Sequence, residues 1–152
     1  MKNNIQPLSG FTLIELIIGM AIIAIISGAL WGNFFSSLSK GRDSRRKQDL
    51  ESVAKALEIY YNDKKAYPTA LPAFGETFVN SDNSAVIYMP KLPQDPAYPA
   101  SSYCYPTIAD GSSYKIYAKL ENRSDPAILP TLAVCGSYSD YNYGISSQNI
   151  TP

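Results

Sequence analysis

A chain of 152 residues with 13 basic and 13 acidic side chains carries no net charge at neutral pH, so nothing in its total charge favours nucleic acid as a partner. It contains no histidine, which removes the usual general base and the commonest metal ligand and excludes Ser-His-Asp and Cys-His arrangements. There is no glycine-rich phosphate loop and no paired-cysteine metal motif. No pattern of carboxylates suits acid–base work, and the sequence reads as a non-enzyme without cofactor or metal.

Residues 1–10 are polar and carry a single lysine, Lys2. From residue 16 to residue 39 no side chain is charged, a run long enough for a membrane-spanning helix, which needs about 20 apolar residues. Glu15 lies just inside the start of that run. An ionisable side chain in hydrocarbon costs roughly 2.5–3.5 kcal/mol on insertion scales, so Glu15 calls for a partner. Gly19, Ala21, Ala24, Ser27, Gly28, Ala29 and Gly32 are small enough to let helices approach closely in a bilayer or a fibre core, and Gly28 with Gly32 forms a soft spot in the helix.

The heptapeptide Gly10-Phe11-Thr12-Leu13-Ile14-Glu15-Leu16 resembles the start of type IV pilins and type II secretion pseudopilins. The resemblance implies that a prepilin peptidase cuts between Gly10 and Phe11 on the cytoplasmic face, that Phe11 is N-methylated as the new first residue, and that Glu15 guides subunit assembly. It also implies self-polymerisation into a helical filament, driven by an inner-membrane platform protein and an assembly ATPase. After the cut, the amine of Phe11 is a cation that can meet Glu15 of a neighbouring copy. Opposite charges at ~4 Å attract by about 4 kcal/mol at an effective dielectric near 20. A competing reading is a secretory signal cut at Ser27-Gly28-Ala29, leaving Leu30 first; the carboxylate in the apolar block and the thin basic start argue against it.

Helical periodicity continues beyond the apolar run. Leu50, Val53, Ala54, Leu57 and Tyr61 form a stripe at three-and-four spacing. Asp43/Lys47, Arg45/Asp49, Lys47/Glu51 and Glu51/Lys55 are opposite charges four apart. One helix is expected over about 11–62, roughly 75 Å long, ended by Tyr67-Pro68. Its amphipathic half requires the rest of the chain to lie against it. Lys40, Arg42, Arg45, Arg46 and Lys47 follow the apolar block, and the positive-inside bias would hold them in the cytoplasm. The leader motif and the cysteines favour the opposite topology, with the basic stretch as a solvated helix face or opposite acidic groups of neighbours.

Prolines punctuate the segment up to residue 100. Beyond it, residues 102–105, 114–120 and 131–137 are expected as strands, with a hairpin turn at Asp110-Gly111-Ser112 and a loosely held polar tail over 138–152. Cys104 and Cys135, an even pair outside the cytoplasm, are expected to form a disulfide. The resemblance extends through the helix end and the Tyr67-Pro68 step. Major pseudopilins commonly bind calcium in a C-terminal loop, but Asp125 and Asp140 are too scattered to predict a metal. All twelve tyrosines lie from Tyr60 onward; strand propensity and packing against the helix account for them, ahead of sugar or base stacking.

The expected fold is α+β and pilin-like: one long N-terminal helix, its first half transmembrane, packed on a small antiparallel sheet of three or four strands. The expected organisation is a leader over 1–10, a transmembrane and fibre-core helix over 11–35, and an extracytoplasmic domain over 36–152. That domain divides into helix to about 62, loop over 63–100 and sheet over 101–145. The expected function is the precursor of a type IV pilus-like subunit, serving adhesion, motility or DNA uptake, first in the inner membrane and then in an extracellular pilus. The alternatives are a major-type pseudopilin of type II secretion in a periplasmic pseudopilus, and a membrane-anchored binding domain that never polymerises.

Overall fold

The computed structural model describes residues 10–106, 110–136 and 138–152, without the side chains of 29–33, 138 and 139. All of the expected leader over 1–10 except Gly10 therefore lies outside the described residues. The chain divides into two units, Met1–Leu38 and Ser39–Pro152. A single helix, α1 (Leu13–Lys64), contributes to both. It ends where Lys65 turns left-handed, at φ 58°, while its N–H still bonds the Tyr61 carbonyl at 2.7 Å. This is the usual way for a helix to stop, although glycine more often fills the position; Pro68 then blocks any continuation.

In the second unit, α1 buries Leu50, Val53, Ala56 and Leu57. The expected stripe ends differently. Tyr60 packs against Phe78 and Tyr88, while Tyr61 stays outside the core and stacks on Tyr67. The buried face is therefore 43-46-50-53-57-60, and its first two positions are Asp43 and Arg46. None of the four expected i,i+4 ion pairs appears among the described residues.

Among the described residues there are six short strands: β1 (Phe78–Val79), β2 (Ile87–Met89), β3 (Lys115–Ala118), β4 (Ala133–Cys135), β5 (Tyr138–Tyr141) and β6 (Tyr143–Ser146); β1, β2, β3 and β6 contribute to the core built on the α1 face. The six form three antiparallel pairs, β1-β2, β3-β6 and β4-β5, so the expected α+β architecture holds with its strands distributed over three ladders. The first strand expected, over 102–105, contributes one bridge, Cys104 to Tyr117. Tyr114, Ile116, Ala118 and Leu120 are all buried, as their alternation implied. Tyr117 is buried as well, in a second small cluster with Cys135 and Tyr141, so β3 is covered on both faces.

The tail expected to be loose supplies β5 and β6. Its pairing with β3 depends on Gly144: a Cβ there would come within 2.6 Å of the Tyr117 ring. Asn142, buried between the two strands, exchanges hydrogen bonds with both backbone groups of Leu120, at 2.6 and 3.0 Å. Its amide extends the ladder in place of a backbone unit. Cys104 and Cys135 are joined, closing a separation of 31 residues; a loop of this length contributes about 3–4 kcal/mol in the chain-entropy model. The tyrosines are largely core. Hydroxyls of Tyr67, Tyr88 and Tyr103 donate to Glu58, Asp63 and Asp49, and burial, reinforced by Glu58, pushes the Tyr67 phenol up to about 12.

Candidate assembly site

The start of α1 is built by Thr12. Its hydroxyl accepts from the Glu15 N–H at 3.3 Å. The Glu15 carboxylate in return accepts from the Thr12 N–H at 2.9 Å and from its hydroxyl at 2.7 Å. This is a capping box, in which an N-cap Thr and an acidic residue three positions on satisfy each other's orphan donors. The spacing Thr12-x-x-Glu15 carries that signal in the sequence, and the family motif obscured it. Within one subunit Glu15 thus already has a local partner, and its side chain stands on an exposed surface. Gly10 and Phe11 precede the helix; a Cβ on Gly10 would meet nothing, and Phe11 is 90% exposed.

Along the same unit, the large apolar side chains from Phe11 to Ile26 are all 50–90% exposed. Burying such a surface is worth on the order of 10–20 kcal/mol. Gly19 and Gly28 leave open space along it, which suits close helix approach. No helix among the described residues is long and apolar enough to cross a membrane; the span expected over 11–35 includes 29–33, whose side chains are not described. The soft spot at Gly28 and Gly32 does not interrupt α1.

The basic stretch after the apolar run is not the solvated face expected of it. Arg46 is 1% exposed. Its guanidinium grips Asp95 through two bonds, at 2.9 and 3.0 Å, and also reaches Asp43 at 2.7 Å and Glu121 at 2.8 Å. Asp43 in turn accepts the backbone N–H groups of Glu121 and Asn122. Arg42 clasps Glu121 from outside at 2.8 Å, and Lys47 holds Asp125 at 2.7 Å. Three of the five basic residues thus bind the chain's own loops. Burial alone would lower the Arg46 pKa, but its bonds to Asp95, Glu121 and Asp43 outweigh that and raise it.

Hydrogen bonds from Arg42 and then Arg46, working against desolvation by burial, hold the Glu121 carboxyl at about 2. A depressed pKa adds stability that is complete above the unfolded value and is lost as pH falls through the folded one. The Lys47 bond likewise lowers Asp125. Acid titration of the folded domain should therefore show a loss of about 1–2 kcal/mol from Glu121 between roughly pH 4.5 and 2, discounted for its partial exposure. Glu121→Gln should flatten that limb; an unchanged acid profile would refute the assignment.

Asp125 and Asp140, the two carboxylates considered for a metal, pair with Lys47 and Lys119 respectively. No group of three potential ligands occurs among the described residues. Cys104 and Cys135 serve the fold of the second unit.

A long helix, bare and apolar at its capped start and packed on short antiparallel strands in the second unit, is the α+β, pilin-like class of fold expected. In agreement, residues 9–31 match the prokaryotic N-terminal methylation motif, and residues 33–122 match type II secretion system protein G. The chain belongs to the type II secretion system protein G family. It is 28% identical over 96 residues to type II secretion system core protein G of Aeromonas hydrophila, covering 58% of this chain and 66% of that one. It is 30% identical over 100 residues to the protein of the same name from Pseudomonas aeruginosa, covering 58% of this chain and 67% of the relative. The chain thus spans about two thirds of the length of the curated relatives it matches. No solved structure matches it.

Proposed function

We propose that the chain is the precursor of a major-type pseudopilin, polymerising into a short periplasmic fibre of a type II secretion machine. The similarity over residues 33–122 to protein G carries this choice, ahead of the cell-surface pilus that the N-terminal motif alone suggested. In this reading a prepilin peptidase removes residues 1–10, Phe11 becomes the N-methylated first residue, and residues 11–35 anchor the subunit before packing in the fibre core. Residues 36–152 form the domain outside the cytoplasm, where the Cys104–Cys135 bond persists. A platform protein and a cytoplasmic ATPase supply the lift out of the membrane; the subunit hydrolyses nothing.

Glu15 has two uses in turn. In the lone subunit it is satisfied by Thr12. In the fibre the Phe11 amine of a neighbour competes for the same carboxylate, with a charge that a peptide N–H lacks. Mass spectrometry of the mature N-terminus in the native host is expected to find methylated Phe11; an intact Met1 or a start at Leu30 overturns the reading. Deleting the gene should stop export of secreted enzymes while leaving surface pili in place. The reverse outcome would restore the type IV pilus reading, with its adhesion, motility or DNA-uptake roles.

A further inference from the structure

The basic stretch Lys40, Arg42, Arg45, Arg46 and Lys47 begins where the uncharged run over residues 16–39 ends. All five lie on α1, and Lys40 and Lys47 are about 10 Å apart along the helix, close to one Debye length at physiological salt. Lys40 and Arg45 have no carboxylate partner among the described residues. Arg46 is buried with Asp43 and Asp95 as well as Glu121. Arg42 and Lys47 are held differently. They stay partly exposed, and their carboxylates come from one distant segment: Glu121 for Arg42 and Asp125 for Lys47.

That segment lies inside the loop closed by the disulfide between Cys104 and Cys135. Cys104 exchanges two backbone hydrogen bonds with Tyr117 of β3, at 3.0 and 2.8 Å. Cys135 belongs to β4, whose ladder partner among the described residues is β5. The covalent bond thus fastens β4, which follows the segment bearing Glu121 and Asp125, to the edge of β3. In the reduced chain the segment regains conformational freedom that the closed loop withholds, and its two carboxylates hold Arg42 and Lys47 less often. Arg46 keeps Asp43 and Asp95, which lie outside the loop.

Resting on the membrane-anchored reading above, we propose that the disulfide-closed loop is a redox-set clamp that withholds Arg42 and Lys47 from anionic phospholipid headgroups. In that reading the end of the uncharged run lies at the membrane surface, where each cation is attracted by negative lipids. The reduced subunit presents four cations there, Lys40, Arg42, Arg45 and Lys47, and the oxidised subunit presents Lys40 and Arg45. A newly exported, reduced subunit is therefore held on the membrane, and oxidation loosens it for entry into the fibre. The oxidant is a disulfide-carrying oxidoreductase outside the cytoplasm. One cysteine thiolate attacks the carrier's disulfide, the second displaces the carrier from the mixed disulfide, and the carrier leaves as a dithiol with both protons.

The test uses the full-length chain in phosphatidylcholine vesicles that also contain photoreactive phosphatidylglycerol or, as the neutral control, photoreactive phosphatidylcholine. Reduction should raise phosphatidylglycerol labelling of residues 40–47 at least about fivefold, since two further cations strengthen lipid attraction roughly tenfold or more. Phosphatidylcholine labelling should not change. Glu121→Gln with Asp125→Asn should label like the reduced chain while its disulfide is intact, and adding Arg42→Gln and Lys47→Gln should abolish the gain. Equal labelling of oxidised and reduced wild type, or a gain that persists without Arg42 and Lys47, overturns the clamp. Should reduction unfold the domain, seen as loss of near-ultraviolet circular dichroism, the oxidised Glu121/Asp125 variant decides. A wild-type chain that alkaline carbonate washes off the vesicles sinks the membrane reading itself, whatever the labelling.

Discussion

Full-length protein carrying Glu15→Ala should insert and be processed normally, yet yield at least about a hundredfold less fibre. The attraction at stake is about 4 kcal/mol at ~4 Å and an effective dielectric near 20, a ceiling of roughly a thousandfold at about 1.4 kcal/mol per decade. Losing the carboxylate favours residence in lipid by roughly 2.5–3.5 kcal/mol, so insertion does not suffer. The capping box adds a discriminating control. Glu15→Gln can still close the box with Thr12 but carries no charge, so it too should fail to assemble. Thr12→Ala loses the cap, about 1 kcal/mol of helix start, and keeps the charge; its fibre yield should fall no more than a few-fold. If Glu15→Gln assembles like wild type, the carboxylate's task is local capping and the intersubunit pairing is wrong.

Arg46→Met should destabilise the folded domain by about 3–5 kcal/mol, the usual cost of removing one partner of a buried charge set. The guanidinium is enclosed, and so are Asp43 and Asp95. Without it Asp95 keeps only the Ala97 N–H and the Ser101 hydroxyl, while Asp43 keeps backbone donors. For a domain of this size that loss corresponds to a fall in Tm of roughly 15 °C or more, measured by near-ultraviolet circular dichroism of the tyrosine core on the full chain in detergent. Adding Asp95→Asn to Arg46→Met should recover part of it, because the stranded charge is then gone, and the resulting coupling is a double-mutant cycle. A shift of only a few degrees for Arg46→Met would show that water reaches the cluster.

The cluster also shows where sequence reasoning stopped. The stripe 50-53-57 was legible because apolar residues at helical spacing announce a buried face. Its continuation to 46 and 43 was not, since Arg46 and Asp43 look like the solvated side of a helix. Their burial depends on Asp95 and Glu121, which lie 49 and 75 residues away from Arg46. Composition likewise hid β5 and β6: a tail of Tyr, Ser, Asp, Asn and Gly resembles loop. Yet Gly144 is what lets β6 approach the Tyr117 ring, and Asn142 is what replaces a backbone unit beside Leu120. The strands are short and paired in twos because prolines and turns interrupt each run, so no single strand carried a strong alternation except β3.

What the sequence determined alone was local. The apolar run, the Thr12-x-x-Glu15 start, the stop before Pro68 and the alternation through β3 each follow from residues within a few positions of one another, where helix and strand geometry leave little choice. What only the tertiary structure decided was which charges pair within the chain, and with which distant segment. Ion pairs between distant segments require a folded chain to bring them within reach, and neither the period nor the spacing of residues along one element encodes their partners.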